Sequence, residues 1–106
     1  MAEAPKELVW APKSKRDLVD IWKYYAKVAS PELANTMLRE LDRAAMRLAR
    51  HPLSGRSRDE IVPGLRSLLV HPHSIIYHVT EPAIEIARIL HERRDFSADL
   101  ANDDKP

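Results

Sequence analysis

The chain has 106 residues, 44% of them apolar and 31% charged, with a net charge of +1 and no cysteine. That length fits one domain, residues 1–106, with a single shared core, and so slight a basic excess argues against direct sequence-specific nucleic-acid binding. Without cysteine there is no disulfide framework or thiolate metal site, which suits a reducing cytoplasm, and two glycines are too few for a Gly-rich phosphate loop.

Residues 1–5 read as a mobile lead-in with no apolar stretch of signal-peptide length. Glu7-Leu8-Val9-Trp10 is a short strand candidate. Pro12 stands where a first helical turn accepts proline. From there to about Ala29, Leu18, Ile21, Trp22, Tyr25 and Ala29 form one apolar stripe at helical spacing. Ser30-Pro31-Glu32 opens a second helix with a hydroxyl cap, a first-turn proline and an acid that complements the dipole. Its stripe is Ala34, Met37, Leu38, Leu41, Ala44, Ala45 and Leu48, and His51-Pro52 ends it. The two helices are expected to form an antiparallel hairpin that needs a sheet to cover.

A turn at Pro52–Arg56 leads into a loop that runs to Gly64, and Leu65–Val70 is the next strand. His71-Pro72-His73 links it to two β-branched runs, Ile75–Val79 and Ile84–Leu90. Thr80-Glu81-Pro82-Ala83 separates them, and proline belongs in such a connection and not in a ladder. Residues 97–106 are polar and are expected to fray. No run approaches the ~20 apolar residues that span a bilayer. The fold class is α+β: an N-terminal strand, an antiparallel helical hairpin, then a three-stranded antiparallel meander.

Along these elements lie short motifs that resemble ParE-type toxins. They are Trp10-Ala11-Pro12, Asp17-Leu18, Ile21-Trp22-x-Tyr24, His51-Pro52-x-x-Gly55-Arg56, Leu65-Arg66 and Ile76-Tyr77. The most specific is Ile89-Leu90-His91-x-x-Arg94-Asp95, closing the last strand. The resemblance covers roughly residues 7 to 96. It implies a RelE/ParE-like fold and the toxin half of a type II toxin–antitoxin pair. It also implies a ParD-like antitoxin partner and DNA gyrase as target, with no cofactor. RelE-like relatives are instead ribosome-dependent mRNA endonucleases.

Three functions follow: a gyrase poison, an mRNA nuclease, or a member that binds antitoxin without toxicity. A nuclease needs a base, a clamp for phosphate charge and an acid. Tyr77, Arg88, His91 and Arg94 are the candidates, but no convincing base accompanies them. His71, His73, His78 and His91 invite a metal, yet no carboxylate or cysteine stands at ligand spacing. For antitoxin binding the candidates are Tyr24, Leu53, Arg56, Leu68 and Val70. They offer an aromatic anchor and an apolar surface on which a disordered partner segment could fold. His91, Arg94 and Asp95 are the candidate target contacts. Arg39, Arg43, Arg47 and Arg50 share one arc of the second helix, as a solvated face or as a basic strip for an acidic partner.

Overall fold

A computed structural model of the chain describes residues 4–93. Strand β1 (Glu7–Trp10) is followed by helix α1 (Pro12–Val28) and helix α2 (Pro31–Arg50). Strands β2 (Arg56–Ser57), β3 (Leu65–Val70), β4 (His73–Val79) and β5 (Ala83–His91) complete the chain. The expected ends at 1–5 and 97–106 lie largely or wholly outside the described residues.

Both helices begin where the sequence places them. Ser30 Oγ accepts the Leu33 amide at 3.1 Å, Pro31 follows it, and Glu32 occupies the first turn. The α1 start differs: Ala11 offers no capping side chain, and Ser14, fully buried, donates its hydroxyl back to the Ala11 carbonyl. Arg47 and Arg50 sit in the last turn of α2, where the helix dipole favours cations.

The sheet order is β1-β5-β4-β3-β2. Strands β3, β4 and β5 form the expected antiparallel meander, with Tyr77 opposite Arg66 on one side and Ile86 on the other. Two features depart from expectation. Strand β1 pairs in parallel with β5, Leu8 against Ile84 and Trp10 against Ile86, so the sheet is mixed. Within the loop after α2, Arg56 and Ser57 pair with Ser67 and Arg66 as a short edge strand. Two residues leave no period-2 pattern to detect, which is why the sequence reads there as loop.

Helix α2 supplies most of the helical core. Leu41, Ala44, Ala45 and Leu48 are buried against Ile75, Tyr77, Ile84, Ile86 and Ile89. Each fully buried leucine or isoleucine contributes about 1.5–3 kcal/mol. Helix α1 is more exposed, and Ser14 is its one fully buried residue. On the other sheet face a smaller cluster joins Leu65, Ile76 and Leu90, flanked by Ile61 and Val62 from the loop. That loop turns at Gly64, whose φ of +82° disfavours a side chain and whose amide donates to Asp59 Oδ1 at 2.8 Å. This bond and one from Ser57 hold the Asp59 carboxyl below its ordinary pKa.

Candidate functional site

The register of β4 against β5 skips Ala87, pairing Ile76 with Arg88 and Tyr77 with Ile86. Such a bulge re-aims the residues beside it. Here it turns Arg88 toward α1. The Arg88 guanidinium donates to both Asp17 oxygens, Nε to Oδ2 at 2.8 Å and Nη2 to Oδ1 at 3.0 Å. The Ile89 amide donates to Asp17 Oδ2 as well, at 2.9 Å. One carboxylate thereby locks the middle of α1 to the last strand.

Beside this lock, between α1, the start of α2 and the end of β5, opens a groove of about 630 Å³. Ile21, Ile89 and Leu90 contribute apolar lining, and Tyr24, Val28 and Leu33 stand exposed at it. Four rings run along it edge to face: Tyr24 to Tyr25 at 5.2 Å, Tyr25 to His73 at 6.0 Å, and His73 to His91 at 5.8 Å. Tyr24 is 60% exposed. An amphipathic ring so open at the rim of an apolar cleft has the character of a binding anchor. Burial, then the neighbouring Tyr24, push the Tyr25 hydroxyl pKa upward, so it stays protonated and able to donate.

His73 lies beneath the ladder, and its buried Nδ1 has no hydrogen-bond partner among the described residues. Burial first, then His91 and His71, hold its pKa below the ordinary 6.5, while Glu92 pulls the other way. Unfolding restores the ordinary value. Between the two values the unfolded chain binds more protons, so this contribution to stability is complete above pH about 6.5 and drains away as the pH falls. Urea unfolding of the wild type is therefore expected to weaken from pH 7.5 to 5 more steeply than that of His73→Phe. Parallel pH profiles would remove His73 as the cause.

Of the proposed nuclease residues, Arg88 and His91 both line the groove, and Tyr77 stands apart from them. Tyr77 is wholly buried, donates to the Pro52 carbonyl at 2.8 Å and accepts the Gly55 amide at 3.0 Å. Its hydroxyl braces the turn after α2, four ladder positions from the His73–His91 pair. Arg88 is engaged by Asp17, and His91 Nδ1 accepts the Arg93 amide at 3.1 Å. Arg94 and Asp95 lie outside the described residues. No group of three or more histidine or acidic side chains placed to hold a metal occurs among the described residues.

The expected antitoxin residues divide into two places. Tyr24 is in the groove, together with His91, which sequence reasoning had assigned to a different partner. Leu53 and Arg56 are exposed on the turn after α2. Leu68 and Val70 are half-buried and pack against the main core, and Leu69 between them is 59% exposed. The sequence reading missed Asp17, Tyr25 and His73 as groove residues. Tyr25 follows Tyr24 directly, but only the β4–β5 register brings the histidines to it.

The chain matches the family model described as ParE toxin of type II toxin-antitoxin system, parDE, over residues 8–96. It is 37% identical over 91 residues to Toxin ParE1 of Mycobacterium tuberculosis, covering 85% of this chain and 93% of that protein. Identity to Toxin ParE3 of Caulobacter vibrioides is 32% over 69 residues, 65% of this chain and 69% of that one. Among solved structures, the chromosomal ParDE TA system from P. aeruginosa aligns with a TM-score of 0.72 at 30% identity. The alignment spans 81% of this chain and 95% of that one. The toxin-antitoxin complex RelBE2 from M. tuberculosis aligns with a TM-score of 0.60 at 18% identity, over 83% and 99% of the two chains, a likeness of fold alone.

Proposed function

Because this chain belongs to the ParE toxin family of type II toxin–antitoxin systems, we propose that it is a cytoplasmic toxin that inhibits DNA gyrase and is silenced by a ParD-like antitoxin. The observation that carries the reading is the contrast between the groove and the proposed nuclease residues. The groove is apolar, ringed by aromatics and open to a partner, with Tyr24 at its rim. Tyr77 and Arg88, which transcript cleavage would need, are committed to holding the fold. Gripping another protein needs only the first of these.

In this reading Tyr24 and the turn residues Leu53 and Arg56 meet the antitoxin, with Leu69 as the exposed apolar contact of β3 beside Leu68 and Val70. His91, with Arg94 and Asp95 beyond it, meets the target. No described helix is long and apolar enough to cross a membrane.

Purified protein is expected to block gyrase supercoiling and to trap cleaved DNA on the enzyme. A ParD-like antitoxin should relieve the block. Normal supercoiling together with ribosome-dependent transcript cleavage, lost on His91→Ala, would give the function to an mRNA nuclease instead. Hydrogen exchange in the antitoxin complex should show new protection around Tyr24; unchanged exchange there would withdraw that contact.

A further inference from the structure

Helix α2 turns its apolar stripe to the sheet and a second, unlike face to solvent. Arg39, Arg43, Arg47 and Arg50 are all exposed on it. At 100° per residue they fall within about 80°, and at 1.5 Å per residue they span about 16 Å of the axis. Met46 lies about 20° outside that arc, beside its Arg39 edge, and is 57% exposed. Among the described residues none of the four arginines closes an ion pair; Arg39 reaches only the Thr36 hydroxyl, at 3.2 Å. Glu40 and Asp42 flank the strip on either side and leave it unpaired. Like charges four residues apart weaken a helix, and the dipole favours only Arg47 and Arg50 in the last turn, so folding alone gives Arg39 and Arg43 no evident advantage.

We infer that the arginine face of α2 docks an acidic amphipathic helical segment. Its carboxylates, repeating at i, i+4 and i+7, would meet the arginines, and an apolar residue would cover Met46. The charge pattern selects this occupant over a nucleic acid. Two flanking acids would repel the broad polyanion of a duplex but leave room for one narrow helix. An exposed thioether at the edge of the strip has no use on a phosphate backbone. The inference rests on the antitoxin reading above and assigns the segment to that partner.

The test uses the full chain and its ParD-like antitoxin, at low and high salt. The variant R39Q/R43Q/R47Q/R50Q keeps good helix formers at exposed positions, so its circular dichroism should match the wild type and its thermal midpoint should stay close to it, the lost dipole contacts of Arg47 and Arg50 offsetting the relieved repulsion. Its antitoxin affinity at low salt should fall about tenfold, chiefly through slower association, because rim charges act mainly on encounter. The gap should close at high salt as screening removes the wild type's advantage. Wild-type protein that binds antitoxin, with a variant indistinguishable from it at both salts, overturns the inference and spares the functional reading. Wild-type protein that binds no antitoxin overturns both. Salt-sensitive binding of duplex DNA to wild type but not to the variant, with antitoxin affinity unmoved, also overturns it.

Discussion

Replacing Asp17 with alanine is expected to lower the unfolding free energy by about 3 kcal/mol, the lower end of the range for breaking a buried ion pair. The side chains of Arg88 and Asp17 are 15% and 14% exposed, so water screens the pair only in part. The carboxylate accepts three hydrogen bonds, two from the Arg88 guanidinium and one from the Ile89 amide. Alanine removes the shared acceptor at the β5 bulge and strands the Ile89 amide, and stranding a buried donor costs more than making its bond ever contributed. Asp17→Leu combined with Arg88→Met should recover most of the loss, since an apolar pair of similar volume needs no partner. Urea unfolding of both variants tests this. A single variant within experimental error of wild type would show that the lock contributes nothing. The same single variant should also loosen the groove, because Asp17 and Arg88 line it.

Gly55→Ala is the second large effect, at about 1–3 kcal/mol for forcing atoms into a filled site. A Cβ there would lie 2.5 Å from the Tyr77 hydroxyl oxygen and 2.8 Å from both Tyr77 Cε1 and the Ser67 carbonyl. Tyr77 is buried in the core, and the Ser67 carbonyl belongs to β3, so neither can swing away. Tyr77→Phe should independently cost about 1–3 kcal/mol, because the Gly55 amide loses its acceptor and the Pro52 carbonyl its donor. The double variant should lose less than the sum. Removing the hydroxyl also removes the nearest clash, so the two sites are coupled. Strict additivity would mean that the methyl is resisted only by Ser67, or that the turn moves freely. The turn carries Leu53 and Arg56, the proposed antitoxin contacts, and Arg66 ties it down through the Gly55 and Leu53 carbonyls.

The two readings of His91 illustrate a general point about the groove. From the chain alone, His91 and Tyr24 belong to different surfaces, 67 positions apart. In the fold they line one cleft, so one partner can touch both. A toxin that presents the same groove to antitoxin and target would be inhibited by direct competition.

Local physics settled a good deal in advance. Ser30-Pro31 and His51-Pro52 bound α2 because capping and the pre-proline restriction act within a few residues. The β-branched runs around Pro82 marked the β4–β5 hairpin, and the closing motif from Ile89 pointed to the family. Three things waited for the tertiary structure. The parallel pairing of β1 with β5 joins segments more than 70 residues apart, and no periodicity records which edge a strand will choose. The bulge at Ala87 turned Arg88 from a candidate clamp into a structural partner of Asp17. The burial of Tyr77 converted a candidate acid into a brace. Side-chain type announces what chemistry a residue is capable of; only its neighbours in space decide whether that capacity is spent on the fold or left open to a partner.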